Sequence, residues 1–386
     1  MRRLSRLPGF CSRVLFAILA LAALSLASPP AASSIAPWSV HPVSSNAWPR
    51  MQRDLAGDLC FVDANLGWAC GFGDDTGSTG VISHTKDGGA TWTVQCRAKN
   101  VLFTHVQFLD ASRGWAFGKT RYTSGRSSML GGSLYRTTDG GLHWTRLWFN
   151  TTWMGDFEMA TRLKGYVLSD SRGPVFTTSN GGTTLTRLRA DRAYGGKDVI
   201  LSAVSAVDST YAWVSGAIRY KRPVLLRTTN GGRTWSMRTW TFGRYSPSVD
   251  FVNRSVGFCV VDTSIMKTTN GGTTWSKVYN GTASVYLAKL QAVNANNVRV
   301  LTQTGTYGSV RTAILASENG GKTWQKYTPP AMNPRLPANT RMDFMYWLNG
   351  STGWIVSDGG DPYADPVLLR TPAATEAPDG DAEIEE

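Results

Sequence analysis

The side chains able to do chemistry are few and widely spread along this 386-residue chain. Four histidines occur, His41, His84, His105 and His143, and none belongs to an H-E-x-x-H helix or to a paired Cys/His spacing, so nothing points to a zinc site. No G-x-S-x-G elbow is present, and no glycine pair carries Lys-Ser/Thr in the spacing of a phosphate-binding loop. No metal or cofactor is therefore expected. Asp74-Asp75 between Gly73 and Gly77, and Asp358-Gly359-Gly360-Asp361, have the oxygen-rich look of calcium loops but read as solvated turns. Two groups remain. His105, Asp156, Glu158, Asp250 and Lys289 are ionisable, and a carboxylate pair such as Asp156 with Asp250 is what glycoside hydrolysis needs. Arg187, Arg189, Arg192 and Lys197, then Arg219, Lys221 and Arg222, form two basic clusters suited to an acidic partner.

What must position these residues is a repeat. The pattern T-x-D/N-G-G-x-T-W recurs as TKDGGATW from Thr85, TTDGGLHW from Thr137, TSNGGTTL from Thr178, TTNGGRTW from Thr228, TTNGGTTW from Thr268 and SENGGKTW from Ser317. A second pattern, an apolar pair, Asp or Asn, then often Gly-aromatic, precedes each copy. It begins at Phe61, Phe108, Met159, Ala206, Phe251, Ala292 and Trp347, so it occurs once more than the box. From Phe61 to Trp347 the spacing averages about 48 residues, within the range of propeller blades. Each unit reads as four short strands rich in β-formers and punctuated by Gly and Asp/Asn. The predicted fold is all-β, a seven-bladed propeller of four-stranded antiparallel blades over residues 35–372. In each box Asp87, Asp139, Asn180, Asn230, Asn270 or Asn319 should accept from nearby amides to hold the turn. The Gly pair supplies positive φ, and the Trp is expected to pack against the next blade.

The seventh unit stops at Pro372, where its box should follow. Pro37-Trp38-Ser39-Val40 resembles the start of a fourth strand, so the N-terminal segment is predicted to complete that blade and close the ring. Aligning the first strands puts Cys60, Gln107, Glu158, Ser205, Asp250, Gln291 and Tyr346 at one position. Asp58, His105, Asp156, Ala203, Ser248, Lys289 and Phe344 fall two residues earlier. First strands line a propeller's axis, so His105, Asp156, Glu158, Asp250 and Lys289 should converge at the channel mouth, as a binding site or as a hydrated polar ring.

Residues 1–27 read as a secretory signal. Arg2, Arg3, Arg6 and Arg13 precede the uncharged apolar run Val14 to Ala27, which is cleaved or kept as an anchor. Residues 373–386 form an acidic tail expected to be disordered. Between leader and tail the chain carries 36 basic against 21 acidic residues, a net +15. That suits an acidic or membrane-associated protein client, or a glycan, rather than nucleic acid outside the cytoplasm. Export permits disulfides among Cys60, Cys70, Cys96 and Cys259, of which Cys60 and Cys70 flank one predicted hairpin; free apolar thiols are the other reading.

The boxes resemble the Asp-box repeat shared by sialidases, xyloglucanase-type glycosidases, sortilin-type receptors and photosystem II assembly-factor-like propellers. The last group, exported single seven-bladed propellers with N-G-G-x-T-W turns, is the most similar, over roughly Ala36 to Pro372. Leu185 in place of the box Trp and His143 in place of the box Thr depart from the pattern. The resemblance implies an exported, non-catalytic, monomeric scaffold that binds a client protein at the extracytoplasmic face of a membrane. The rival expectation is a carbohydrate-active enzyme or lectin. The sialidase Arg-Ile-Pro segment does not occur here, the early region offering only Pro49-Arg50-Met51, and xyloglucanase-type enzymes resemble two propellers where this length suffices for one.

Overall fold

The computed structural model describes residues 38–42, 57–73, 79–124, 127–150, 154–169, 174–190, 193, 195, 198–219, 221–245, 248–305, 310–329, 341–357 and 367–371. The leader, the acidic tail, Asp74-Asp75, Asp358 to Asp361, Arg192 and Lys197 lie outside them. Alternating short β-forming runs and glycine turns produce seven four-stranded antiparallel sheets. In six of them the strand order is the chain order. In the seventh, Ser39–Pro42 pairs antiparallel with Val367–Thr371, so residues from the start of the chain supply the fourth strand. The first strands are Asp58–Phe61, Val101–Phe108, Met154–Met159, Val199–Ala206, Val249–Phe251, Val285–Ala292 and Met342–Trp347, in blades 1 to 7.

The recurring Gly-aromatic has a steric origin. Gly67 faces Phe61 across the hairpin, and a Cβ there would lie 2.3 Å from the Phe61 ring. Gly114, Gly165, Gly257 and Gly353 face Phe108, Met159, Phe251 and Trp347 in the same way. Two repeats depart from the pattern as a pair: Ala212 faces Ala206, and Val298 faces Ala292. Where the first strand offers a small side chain, the second no longer needs glycine. The Asp or Asn after the apolar pair, replaced by Thr161 in blade 3, caps the intervening turn. Asp63, for example, accepts from the Asn65 and Leu66 amides at 2.8 and 2.7 Å.

Each box docks on that turn. Gly88 N–H donates to Asn65 O, and the other five boxes repeat the bond. Inside the box Thr85 Oγ donates to Asp87 and accepts from the Gly89 amide, while Asp87 accepts from the Thr91 amide and hydroxyl. Where Asn stands, as at Asn270, its Nδ2 donates to the Thr274 hydroxyl instead, so Asp and Asn are interchangeable because a hydroxyl serves both ways. His143, the departure from Thr, keeps the contact through Nδ1 at 2.7 Å from Asp139. Both box glycines take positive φ, +73° and +103° at Gly88 and Gly89.

The box tryptophans pack the opposite way from expectation. Trp235 lies edge-on to Tyr166, and Trp324 to Tyr279, each in the preceding blade. The aromatic of the second strand is the residue that reaches forward. Trp68 stacks on Phe108 at 3.5 Å, Trp213 on Phe251 at 3.5 Å and Trp354 on Phe61 at 3.6 Å. The second strand's flat indole fits between sheets, whereas the box Trp starts a strand on the outer rim. The disulfide alternative is also absent: Cys60, Cys70, Cys96 and Cys259 are free, and Cys60 faces Trp68 rather than Cys70.

Trp38 anchors the closing strand. It is 2 % exposed, lies edge-on to Trp347 at 5.6 Å, and joins the core between blades 6 and 7. Deleting residues 35–43 removes that indole and bares the edge of Val367–Thr371. The deletion variant is expected to melt lower and to aggregate, as checked by calorimetry and light scattering; an unchanged melting temperature with a monomeric protein contradicts the closure.

Candidate functional site

The first strands meet around the axis and leave a cavity of about 590 Å³ lined by residues from all seven blades. One edge of each first strand pairs with its second strand; the other edge faces the neighbouring blade with unpaired amides. The preceding blade's side chains meet those amides. Cys60 Sγ accepts from Phe108 N, Gln107 from Met159 N, Glu158 from Ala206 N and Ser205 from Phe251 N. Asp250 accepts from Ala292 N and Gln291 from Trp347 N, both at 2.8 Å. The ring closes where the Tyr346 hydroxyl donates to Phe61 O at 2.8 Å. All seven residues aligned at this position thus bond the next blade at the start of its apolar pair.

The position two residues earlier is used less regularly. Asp58 accepts from Val106 N, Asp156 from Val204 N and Ser248 from Leu290 N. His105 Nε2 lies 3.5 Å from Asp156, and Lys289 Nζ reaches across to Asp58 at 3.3 Å. Of the five residues predicted to converge, all line the cavity, and Asp58, aligned with them but left out of that set, is a sixth. Its alignment with His105 and Lys289 was the signal available. Gln303, buried and from the second strand of blade 6, is a seventh and carried no such signal.

The charges are unevenly matched. Lys289 pairs with Asp58, and that carboxylate holds its ammonium above the ordinary lysine range. Burial raises Asp156, against the opposing pull of His105 and the Val204 amide. Burial, then the neighbouring Asp250, carries Glu158 well above the usual carboxylate range. Burial pushes Asp250 up to about 6, despite the Ala292 amide. Among the described residues no group of three or more His, Cys, Asp and Glu side chains is arranged to hold a metal.

The basic clusters lie elsewhere. Arg219, Lys221 and Arg222 are exposed at the hairpin between the second and third strands of blade 4, with Asp198 beside them. Arg187 and Arg189 are exposed on and just after the outer strand of blade 3. In an antiparallel 1-2-3-4 blade the hairpin between strands 2 and 3 and the crossover to the next blade share one end, opposite the boxes.

No family model matches the chain. The photosystem II assembly lipoprotein Ycf48 of Synechococcus sp. (strain CC9902) is 28 % identical over 193 residues, 48 % of this chain and 49 % of that protein. The solved structure of YCF48 bound to D1 peptide superposes with a TM-score of 0.58 at 17 % identity, covering 87 % of this chain and 96 % of that one. The chain resembles the photosystem II assembly-factor-like propellers. The match spans about half the length of the Synechococcus relative. A chain of the mitotic checkpoint complex also superposes with a TM-score of 0.58, at 11 % identity over 96 % of this chain and 99 % of its own. Such identities speak to the fold alone, a seven-bladed propeller, which many functions share.

The raised carboxylates have a consequence for stability. A folded-state pKa above the unfolded value means that the native state holds its proton more tightly, so this contribution is lost as pH rises from about 4 through about 6. Asp250→Asn keeps an acceptor for Ala292 N and removes the charge. It is expected to stabilise the protein by about 1–3 kcal/mol at pH 7 and to leave it unchanged near pH 4, read from denaturant unfolding at both pH values. Destabilisation at pH 7 is the contrary result.

Proposed function

We propose that this chain is an exported, non-catalytic scaffold that binds a client protein at the extracytoplasmic face of a membrane. The observation carrying the reading is the ring itself. The carboxylates and amides nearest the axis already bond the next blade's backbone, so they serve as structural ties rather than as a freely protonating acid–base pair. Asp156 and Asp250, the pair considered for glycoside hydrolysis, each hold a neighbouring amide at 2.8–2.9 Å. The likeness to the Ycf48 lipoprotein supports a role in assembly. The structure of its namesake with a D1 peptide shows that a propeller of this kind can carry a peptide. The leader expected over residues 1–27 supports export.

The surface proposed for an acidic client is the end of the propeller that carries Arg219, Lys221 and Arg222. Loops on a rigid scaffold are where binding residues gather, and net positive charge favours such encounters. The tagged protein should capture a membrane-associated protein from its own envelope fraction. Capture should weaken between about 0.05 and 0.5 M salt, and charge reversal at Arg219, Lys221 and Arg222 should reduce it at low salt. Enrichment on glycan instead of protein, or capture indifferent to both salt and charge reversal, contradicts the proposal.

A further inference from the structure

The channel mouth does not end at the ring. A second cleft, between blades 5 and 6, shares Tyr286 and Gln303 with the central cavity and runs outward past Tyr245 to Arg244 and Asp262. Tyr286 and Gln303 face each other across the first hairpin of blade 6. The Tyr245 and Tyr286 rings lie 5.7 Å apart, and Tyr286 is 37 % exposed. Together they make an aromatic floor open to solvent. Gln303 is 5 % exposed and lines both the central cavity and the cleft.

The charges inside point to what that ligand presents. Asp58 is matched by Lys289 and Asp156 by His105, whereas Glu158 and Asp250 have no ion-pair partner among the described residues. Asp250 disfavours the charge on Glu158, Lys289 pulls on Asp250, and burial raises both carboxyls above the ordinary range. Glu158 uses Oε2 for the Ala206 amide and has Oε1 to spare. Ala203 and Ser248 leave the outer ring without a long side chain on the blade 4–5 side. A cation arriving there would be met by two carboxyl groups that no direct ion pair holds.

We propose that this combined site takes a basic residue of an extended peptide, its guanidinium against Glu158 and Asp250, its main chain bonded by Gln303 and its flanking residues on Tyr286 and Tyr245. The proposal rests on the client-binding reading and adds the chemistry of the segment bound. It also sets a division of labour, in which the basic loops meet an acidic surface and the channel receives one cationic side chain.

The test compares two acetylated, amidated pentapeptides, alanine throughout except for a central arginine or its neutral isostere citrulline. Titration calorimetry at pH 7 should show the arginine peptide binding at least about tenfold more tightly. Glu158→Gln with Asp250→Asn, which keep both backbone acceptors, should abolish that preference, and Gln303→Leu should weaken both peptides about threefold or more. Equal binding of the two peptides, binding of neither at millimolar concentration, or binding of neutral cello-oligosaccharide lost in Gln303→Leu overturns the proposal. Client capture from the envelope separates the two readings. Capture undiminished in the double variant removes the arginine site and leaves the scaffold standing, whereas no capture by the unaltered protein removes the scaffold.

Discussion

A propeller's innermost strands each have one edge with no strand to pair with, and each of those edges is buried against the neighbouring blade. An amide left unbonded in such a place costs on the order of 1–3 kcal/mol, and a ring presents the problem seven times over. This protein solves it with side chains. Cys60, Gln107, Glu158, Ser205, Asp250, Gln291 and Tyr346 differ in chemistry but share a register position and a reach, and each bonds the following blade. The requirement is for one hydrogen-bonding atom at a set place. That is why thiol, amide, carboxylate, hydroxyl and phenol all occur there.

A second set of ties runs at the box end and follows the same logic of substitution. The first box glycine's carbonyl takes a donor from the preceding blade: Trp354 serves Gly88, Trp68 serves Gly140, Trp115 serves Gly181 and Trp213 serves Gly271. Where the second strand carries Tyr166 or Phe258, neither supplying an indole N–H, Lys164 and Lys267 donate to Gly231 and Gly320 instead. Blade 7 has no box, and there Arg299 lies over Trp347 and donates to Gly350 O at 2.7 Å. Two concentric sets of bonds thus hold each sheet to the next. They leave the loops at the far end, and the unspent charge of Glu158 and Asp250, available to a partner.

The fold was legible because glycine pairs, Asp/Asn turns and Gly-aromatic pairs are local devices that recur at one spacing. The missing box after Val367–Thr371, together with Trp38, even indicated which segment supplies the last strand. The polar positions of the first strands were legible too, since alternation along a strand puts them on one side. What they bond was not, because spacing places a residue within its blade and is silent on the angle between blades. The same gap reversed the direction of the box tryptophans. Asp58 stood in the alignment beside Lys289 and was left out of the convergent set, whereas Gln303 was missed because nothing in a second strand marks an uncharged residue that turns toward the axis.

The central claim is that side chains of one blade protect the free-edge amides of the next. Native-state hydrogen exchange on Gln107→Ala addresses it directly, since Gln107 both accepts from Met159 N and donates to Met159 O, at 2.7 and 3.2 Å. The account predicts that the Met159 amide loses protection by about tenfold or more while the ladder amides of Tyr166 to Leu168 in the same blade keep theirs. Unchanged protection at Met159 would contradict it.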